Sequence, residues 1–328
     1  MSEAAPVFHG GDLAAATARF GAPRDGWVDL STGINPCPYP VSVDVLASLA
    51  RLPEPAALAR LEDVAAAAYG APPGVVAVAA PGTQALIQWL PRLFSSSRVA
   101  IVSPTYGEHA PAWRAAGHAV EAVPCLSDAG SADVVVLTRP NNPDGRIADI
   151  EALDRLGRSL AERGGLLVVD EAFADVTEDT TTAAPDRLVL RSFGKFYGLP
   201  GLRLGFALCG AELAARLRAA LGPWPVSAPA IGIGIAALSD RAWQAETRRR
   251  LDADAARLDG ILEGAGLAVI GGTTLFRLAA GECASALFER LGRAGIYVRC
   301  FPESPDRLRF GLPGDAAAWA RLERALMP

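Results

Sequence analysis

Between about residue 75 and residue 210 the chain alternates short β-branched runs with amphipathic stretches, and this alternation narrows its possible folds sharply. Residues 75–79, 98–102, 133–137, 166–169, 188–191 and 204–208 read as strands. Most of these runs are continuously apolar, as strands covered on both faces are. Residues 83–94, 108–116 and 149–163 read as helices, with Asp149 as an N-cap and Gly164-Gly165 as a stop. Strand–helix alternation implies an α/β fold with a mainly parallel central sheet, whose ligands bind beyond the carboxyl ends of the strands.

The pattern changes after Gly222-Pro223. A long polar-faced helix over 241–263, an apolar run over 267–278 and a helix over 284–293 come first. Strands at 297–300 and 307–310 follow, with a last helix over 315–326. The reading is a large domain over 46–222 and a small α+β domain over 223–328. Residues 1–45 are turn-rich, too short to fold alone, and expected to pack on the small domain.

Charge and cysteine usage exclude several classes. The net charge is −5, and the densest basic cluster is Arg248-Arg249-Arg250, so there is no footprint for nucleic acid. Five scattered cysteines without a C-x-x-C pair read as reduced thiols, not as a disulfide frame or a metal site. No apolar run reaches the ~18 residues that span a bilayer. The N-terminus lacks the features of a secretory signal, and a cytoplasmic protein is expected.

Lys195 is the only lysine among 31 basic residues. A GC-rich genome replaces surface lysine with arginine, and one survivor can be accidental. Arginine cannot serve as an amine nucleophile, however, so a retained lysine also fits Schiff-base chemistry. Its surroundings bear on the choice. Lys195 lies in Ser192-Phe193-Gly194-Lys195-Phe196-Tyr197-Gly198 directly after a strand, and Arg203 follows eight residues later. Ser192 and Arg203 offer a hydroxyl donor and a fixed cation, a pairing suited to phosphate. Asp170 closes the strand at 166–169; such an acid often only caps a helix, but beside a lysine Schiff base it holds a pyridine nitrogen protonated.

Three further segments fall at strand ends: Pro81-Gly82-Thr83-Gln84, Ser103-Pro104-Thr105-Tyr106-Gly107-Glu108-His109, and Thr138-Arg139-Pro140-Asn141-Asn142-Pro143-Asp144-Gly145. Alone, each reads as a turn. Their common order and placement do not. Gly232-Ile233-Gly234-Ile235-Ala236-Ala237 matches a loose dinucleotide pattern, but it follows a Pro-rich stretch where that motif needs a strand, so a nucleotide-dependent oxidoreductase is discounted. A non-enzymatic relative is also disfavoured, because Lys195, Asp170 and Asn142 are retained together.

The ordered set Pro81-Gly82-Thr83, Pro104-Thr105-Tyr106-Gly107, Asn142-Pro143-x-Gly145, Asp170-x-Ala172, Ser192-x-x-Lys195 and Arg203 resembles the fold type I pyridoxal-phosphate enzymes of the aspartate and histidinol-phosphate aminotransferase group. The resemblance implies Lys195 as the Schiff-base lysine and Asp170 on the pyridinium nitrogen. It implies Asn142 on the ring hydroxyl, Tyr106 stacked on one ring face and Ala172 on the other. Gly82, Thr83, Gln84, Ser192 and Arg203 would hold the cofactor phosphate. Two positions depart from the family pattern. Phe173 stands where many relatives have Tyr, and Leu52-Pro53-Glu54 stands where a partner-subunit Tyr-Pro-Asp segment reaches the phosphate.

His9-Gly10-Gly11-Asp12, Leu30-Ser31-Thr32-Gly33-Ile34-Asn35-Pro36 and Tyr39-Pro40 look like the threonine-phosphate decarboxylases of cobalamin synthesis. That resemblance implies a small phosphorylated amino acid as substrate and a homodimer as the working form. Arg309 would take the α-carboxylate and Arg299 the substrate phosphate, with His9, Gly33 and Asn142 also at the substrate. A histidinol-phosphate-like aminotransferase is the alternative, because the two reactions differ only in which Cα bond stands perpendicular to the cofactor ring.

Overall fold

The computed structural model describes residues 10–177 and 182–327. It divides into two compact units, one of residues 38–142 and 146–245, the other of the described residues up to 37 with 143–145 and 246–327. The divisions fall at 37/38 and 245/246, where the sequence reading put them at 45/46 and 222/223. The reason at the second boundary is packing. The helix Ala228–Ser239 buries Ile231, Ile233 and Ala237 and packs against the helix Pro55–Ala68, which belongs to the first unit.

The first unit is built on seven strands: β1 (Val75–Ala80), β2 (Arg98–Val102), β3 (Ala119–Val123), β4 (Val134–Thr138), β5 (Leu166–Asp170), β6 (Arg187–Ser192) and β7 (Gly205–Gly210). Their order is β1-β7-β6-β5-β4-β2-β3, and only β7 runs antiparallel to its neighbours. Six of the seven were legible as apolar runs. The edge strand β3 was not, because its Ala-Val-Glu-Ala-Val sequence is largely exposed and carries no continuous apolar signal. One layer of the core joins Val78, Ile101, Val136, Val168 and Leu190 of the sheet to Leu86, Trp113 and Leu217 of the covering helices. Asp149 caps the helix Ile150–Glu162 through the Ala152 N–H, as its sequence indicates.

The second unit holds a four-stranded antiparallel sheet of β8 (Ala268–Thr273), β9 (Phe276–Ala280), β10 (Arg299–Cys300) and β11 (Arg307–Gly311), in the order β10-β11-β9-β8. The apolar run over 267–278 is therefore a hairpin, with Thr274-Leu275 at its turn. Helices Ala284–Arg293 and Ala316–Leu326 accompany this sheet. Val28–Asp29 pairs in parallel with Ile296–Tyr297, which ties the N-terminal segment to this unit.

Candidate active site

The carboxyl ends of β2, β4, β5 and β6 lie at one edge of the large sheet, together with the start of the antiparallel β7. A cavity opens there, lined by Thr83, Tyr106, Asn142, Asp170, Lys195 and Arg203 among others. Ala172, Gly82, Gln84 and Ser192 also border it. Every cofactor residue expected from the sequence is thus brought to one cavity.

Backbone geometry explains the phosphate-like end. Gly82 has φ +84, and a Cβ there would lie 2.8 Å from Arg203 Nη2. Arg203 is itself left-handed at φ 54, a strained conformation for a side-chain-bearing residue. Its Nη1 donates to the Pro200 carbonyl at 3.1 Å. Gly205 matters for the same reason, since a Cβ would come 2.5 Å from the Thr83 nitrogen. The two glycines let the Gly82-Thr83 turn, the guanidinium and the end of β6 converge on one point. A guanidinium, a Ser192 hydroxyl and backbone N–H groups at the start of the helix Thr83–Trp89 make an anion cradle.

Asp170 is buried, and both of its oxygens are engaged. Oδ1 accepts the Ala172 N–H at 3.0 Å, and Oδ2 lies 2.9 Å from His109 Nε2. An ionised carboxylate only accepts, so Nε2 carries the hydrogen of this contact. His109 is fully buried and meets the Tyr106 ring edge-on, centroids 6.0 Å apart. The sequence reading quoted His109 in its segment but gave it no role. Its three-residue offset from Tyr106 was the available signal. Glu171, the next residue after Asp170, points elsewhere, to a buried cluster with Arg191 and Thr182. Burial pushes its carboxyl up despite the guanidinium.

Tyr106 donates to Gln84 Oε1 at 3.2 Å, and Gln84 Nε2 donates to Glu108 at 2.9 Å. The Gln84 side chain is thereby held by its neighbours, leaving its backbone N–H for the cradle. Burial, with Glu108 and Asp170 nearby, pushes the Tyr106 phenol up to about 12.

Lys195 sits on a turn fixed by aromatic side chains. Phe193, Phe196 and Tyr197 are all buried. Phe193 stacks on Tyr197 at 4.2 Å and 8°, and Tyr197 stacks in turn on Trp243. The Tyr39 N–H donates to the Tyr197 carbonyl. The Lys195 Nζ stands 5.4 Å from the centroid of the Phe173 ring, so the residue that departs from the family pattern offers the amine an aromatic face and brings no hydroxyl. Leu52 is well exposed and does not line this cavity. Gly232 and Gly234 lie inside the helix Ala228–Ser239, and a Cβ on Gly234 would come 2.8 Å from Leu61 and Leu204. Close packing accounts for Gly234.

In the second unit Arg299 and Arg309 are register partners across β10 and β11. Arg309 is buried, donates to the Ser31 carbonyl at 2.5 Å and lies 5.1 Å from the Phe276 ring centroid. Burial first, and the Arg299 cation second, bring its guanidinium down to about 9. Burial also lowers Arg299. A buried and a half-buried cation on facing strands repel, so this place favours an anion. Asp29 fixes the Ser31 hydroxyl, and Leu30 accepts the Gly311 N–H, which holds the Leu30–Gly33 turn beside β11. Gly33 is left-handed at φ 63 in that turn. His9 lies outside the described residues.

The fold and this cavity define a class, and comparison with known proteins agrees with it. The family model of aminotransferase class I and II matches residues 48–326, and the chain belongs to that family. Within it, the chain is 45% identical to a threonine-phosphate decarboxylase of Pseudomonas aeruginosa, over 97% of each chain. It is 44% identical to a threonine-phosphate decarboxylase of a Sinorhizobium species, over 98% of each. The fold also matches the crystal structure of histidinol-phosphate aminotransferase from Sinorhizobium meliloti in complex with pyridoxal-5'-phosphate. That match has a TM-score of 0.78 and 21% identity, and covers 99% of this chain and 97% of that one.

Proposed function

We propose that the chain is a pyridoxal-phosphate-dependent lyase that converts O-phospho-L-threonine into (R)-1-aminopropan-2-yl phosphate and carbon dioxide, a step of cobalamin biosynthesis. The observation that carries this reading is the meeting of Lys195, Asp170, Asn142 and Arg203 in one cavity, in a chain 45% identical to a threonine-phosphate decarboxylase.

The donor set suits pyridoxal phosphate. Arg203, Ser192 and the Thr83 and Gln84 N–H groups bind its phosphate, and Asn142 meets its ring hydroxyl. Asp170, oriented by His109 and the Ala172 N–H, keeps a proton on the ring nitrogen. Tyr106 and Ala172 would pack on the ring, and Phe173 would add apolar surface without a donor. When bound, pyridoxal phosphate supplies an electron sink for the pair released at the substrate Cα. Arg309 would take the α-carboxylate and Arg299 the substrate phosphate; Gly33, Asn142 and His9, the last outside the described residues, are the other substrate residues that the family resemblance implies. The Lys195 amine delivers a proton to Cα after carbon dioxide departs, so one C–C bond breaks and one C–H bond forms.

The same reading includes a homodimer in the cytoplasm. Val43, Leu46, Leu49 and Leu52 form an exposed apolar run that a second copy of the chain would cover, and the five cysteines are free. Light scattering of the purified chain tests the dimer.

Borohydride reduction followed by peptide mapping tests the cofactor chemistry, with a pyridoxyl adduct expected on Lys195. Incubation with phosphothreonine alone tests the reaction. Carbon dioxide released without a 2-oxo acid is the expected result; turnover only when a 2-oxo acid is added would make the protein an aminotransferase.

A further inference from the structure

Two loops carry the residues assigned to the cofactor's face and its ring hydroxyl. One follows β2 and bears Tyr106; the other follows β4 and bears Asn142. Each of those residues is next in sequence to one that ties the loops together. Thr105 Oγ1 lies 2.8 Å from Asn141 Oδ1 and 2.8 Å from Thr138 Oγ1. Asn141 Nδ2 donates to the Pro104 carbonyl at 2.9 Å, and its backbone N–H donates to the Arg146 carbonyl at 2.8 Å. Asn141 and Thr138 are buried, and Thr138 lines the cavity itself.

The polarity of this cluster follows from its donors. The Pro104 carbonyl accepts only, so Asn141 must turn its NH2 toward Pro104 and its oxygen toward Thr105. The Asn141 oxygen also accepts only, so the single Thr105 proton goes there. Thr138 Oγ1 stands 2.8 Å from the same Thr105 hydroxyl and completes the cluster. A methyl in place of the Thr105 hydroxyl removes the hydrogen bond that joins it to the buried Asn141 oxygen.

We propose that Thr105 and Asn141 are positioning residues that lock the Tyr106 loop to the Asn142 loop, so that ring stacking and the contact with the ring hydroxyl are set together. The proposal rests on the pyridoxal-phosphate reading of the cavity. The lock acts on cofactor affinity and on the bound cofactor's ionisation, because Asn142 bears on the ring oxygen and Tyr106 on the ring face.

The experiment uses the full chain stripped of cofactor and titrated with pyridoxal phosphate, followed by tryptophan fluorescence. Visible absorbance of the reloaded protein is then titrated against pH. Thr105→Val and Asn141→Asp should each weaken cofactor binding by about three- to tenfold, the size of a lost buried hydrogen bond. Both should also move the absorbance midpoint, and Thr105→Ser should restore wild-type values. If the two variants fold with a lower melting temperature but unchanged affinity and midpoint, the residues only stabilise the chain and the proposal falls. If Thr105→Ser behaves like Thr105→Val, the hydroxyl is not the active feature and the proposal also falls. Wild-type protein that takes up no pyridoxal phosphate would remove the cofactor reading itself, an outcome distinct from either.

Discussion

Asp170 in the first unit and Arg309 in the second are both buried ionisable side chains, and their surroundings are opposite in kind. Asp170 has a donor on each oxygen, from His109 and the Ala172 N–H. Arg309 faces a second guanidinium across paired strands, and burial lowers it to about 9. On the proposed reading, the Asp170 carboxylate is thus already held in place by this chain's own side chains and backbone. The arginine pair instead holds positive charge against burial and repulsion, a cost that a dianionic substrate would offset. On the proposed reading, one region would serve a resident group and the other a transient one.

That contrast can be broken by substitution. Asp170→Ala should have the largest effect, lowering turnover by about 10³-fold or more, since the ring nitrogen and His109 lose their partner together. It should also destabilise the cofactor-free chain by about 1–3 kcal/mol, read by denaturant unfolding. Arg309→Met should raise the KM for phosphothreonine by about 10- to 100-fold, the equivalent of one buried charge-assisted contact. The cofactor-free chain should be no less heat-stable than wild type, because a repelled buried cation is gone. A clear loss of melting temperature in Arg309→Met would show that the two regions do not differ as argued.

A smaller effect is expected at His109. His109→Phe keeps the volume and removes the bond to Asp170, so cofactor affinity should drop by about tenfold with substrate KM little changed. A KM change as large as that of Arg309→Met would move His109 from cofactor support to substrate binding. The smallest effect concerns Tyr106, whose phenol lies at about 12 against an ordinary 10.0. A raised acid keeps its proton longer in the folded chain, so this stability is fully present below pH 10 and is lost as pH rises through about 12. The 295 nm difference titration between wild type and Tyr106→Phe should show phenolate only near the upper value. Ionisation near 10 would mean that the site is more open to water than its burial indicates.

Much of the first unit was legible in the sequence because buried parallel strands are written as unbroken apolar runs. β2 matches its expected bounds, and the other five expected strands differ by one or two residues at an end. The edge strand β3 was missed because exposure removes that signal. The second boundary between the units was displaced because the helix Ala228–Ser239 is apolar all round, and no local pattern says which body it joins. At the site, residues that face the cavity were legible through their order along the chain. His109, Glu108 and Asn141 went unassigned because their partners are distant in sequence, His109 from Asp170 by 61 residues and Asn141 from Thr105 by 36.

The sequence by itself determined the strand–helix alternation, the segments at the strand ends and the identity of the one amine, Lys195. Local chemistry suffices for these, since periodicity and turn residues act over a few positions and a lone lysine needs no neighbour to be counted. The tertiary structure decided which side chains hold those residues in place. Hydrogen bonds such as Asp170–His109 and Thr105–Asn141, and the repulsion between Arg299 and Arg309, depend on distances that exist only after the strands have paired.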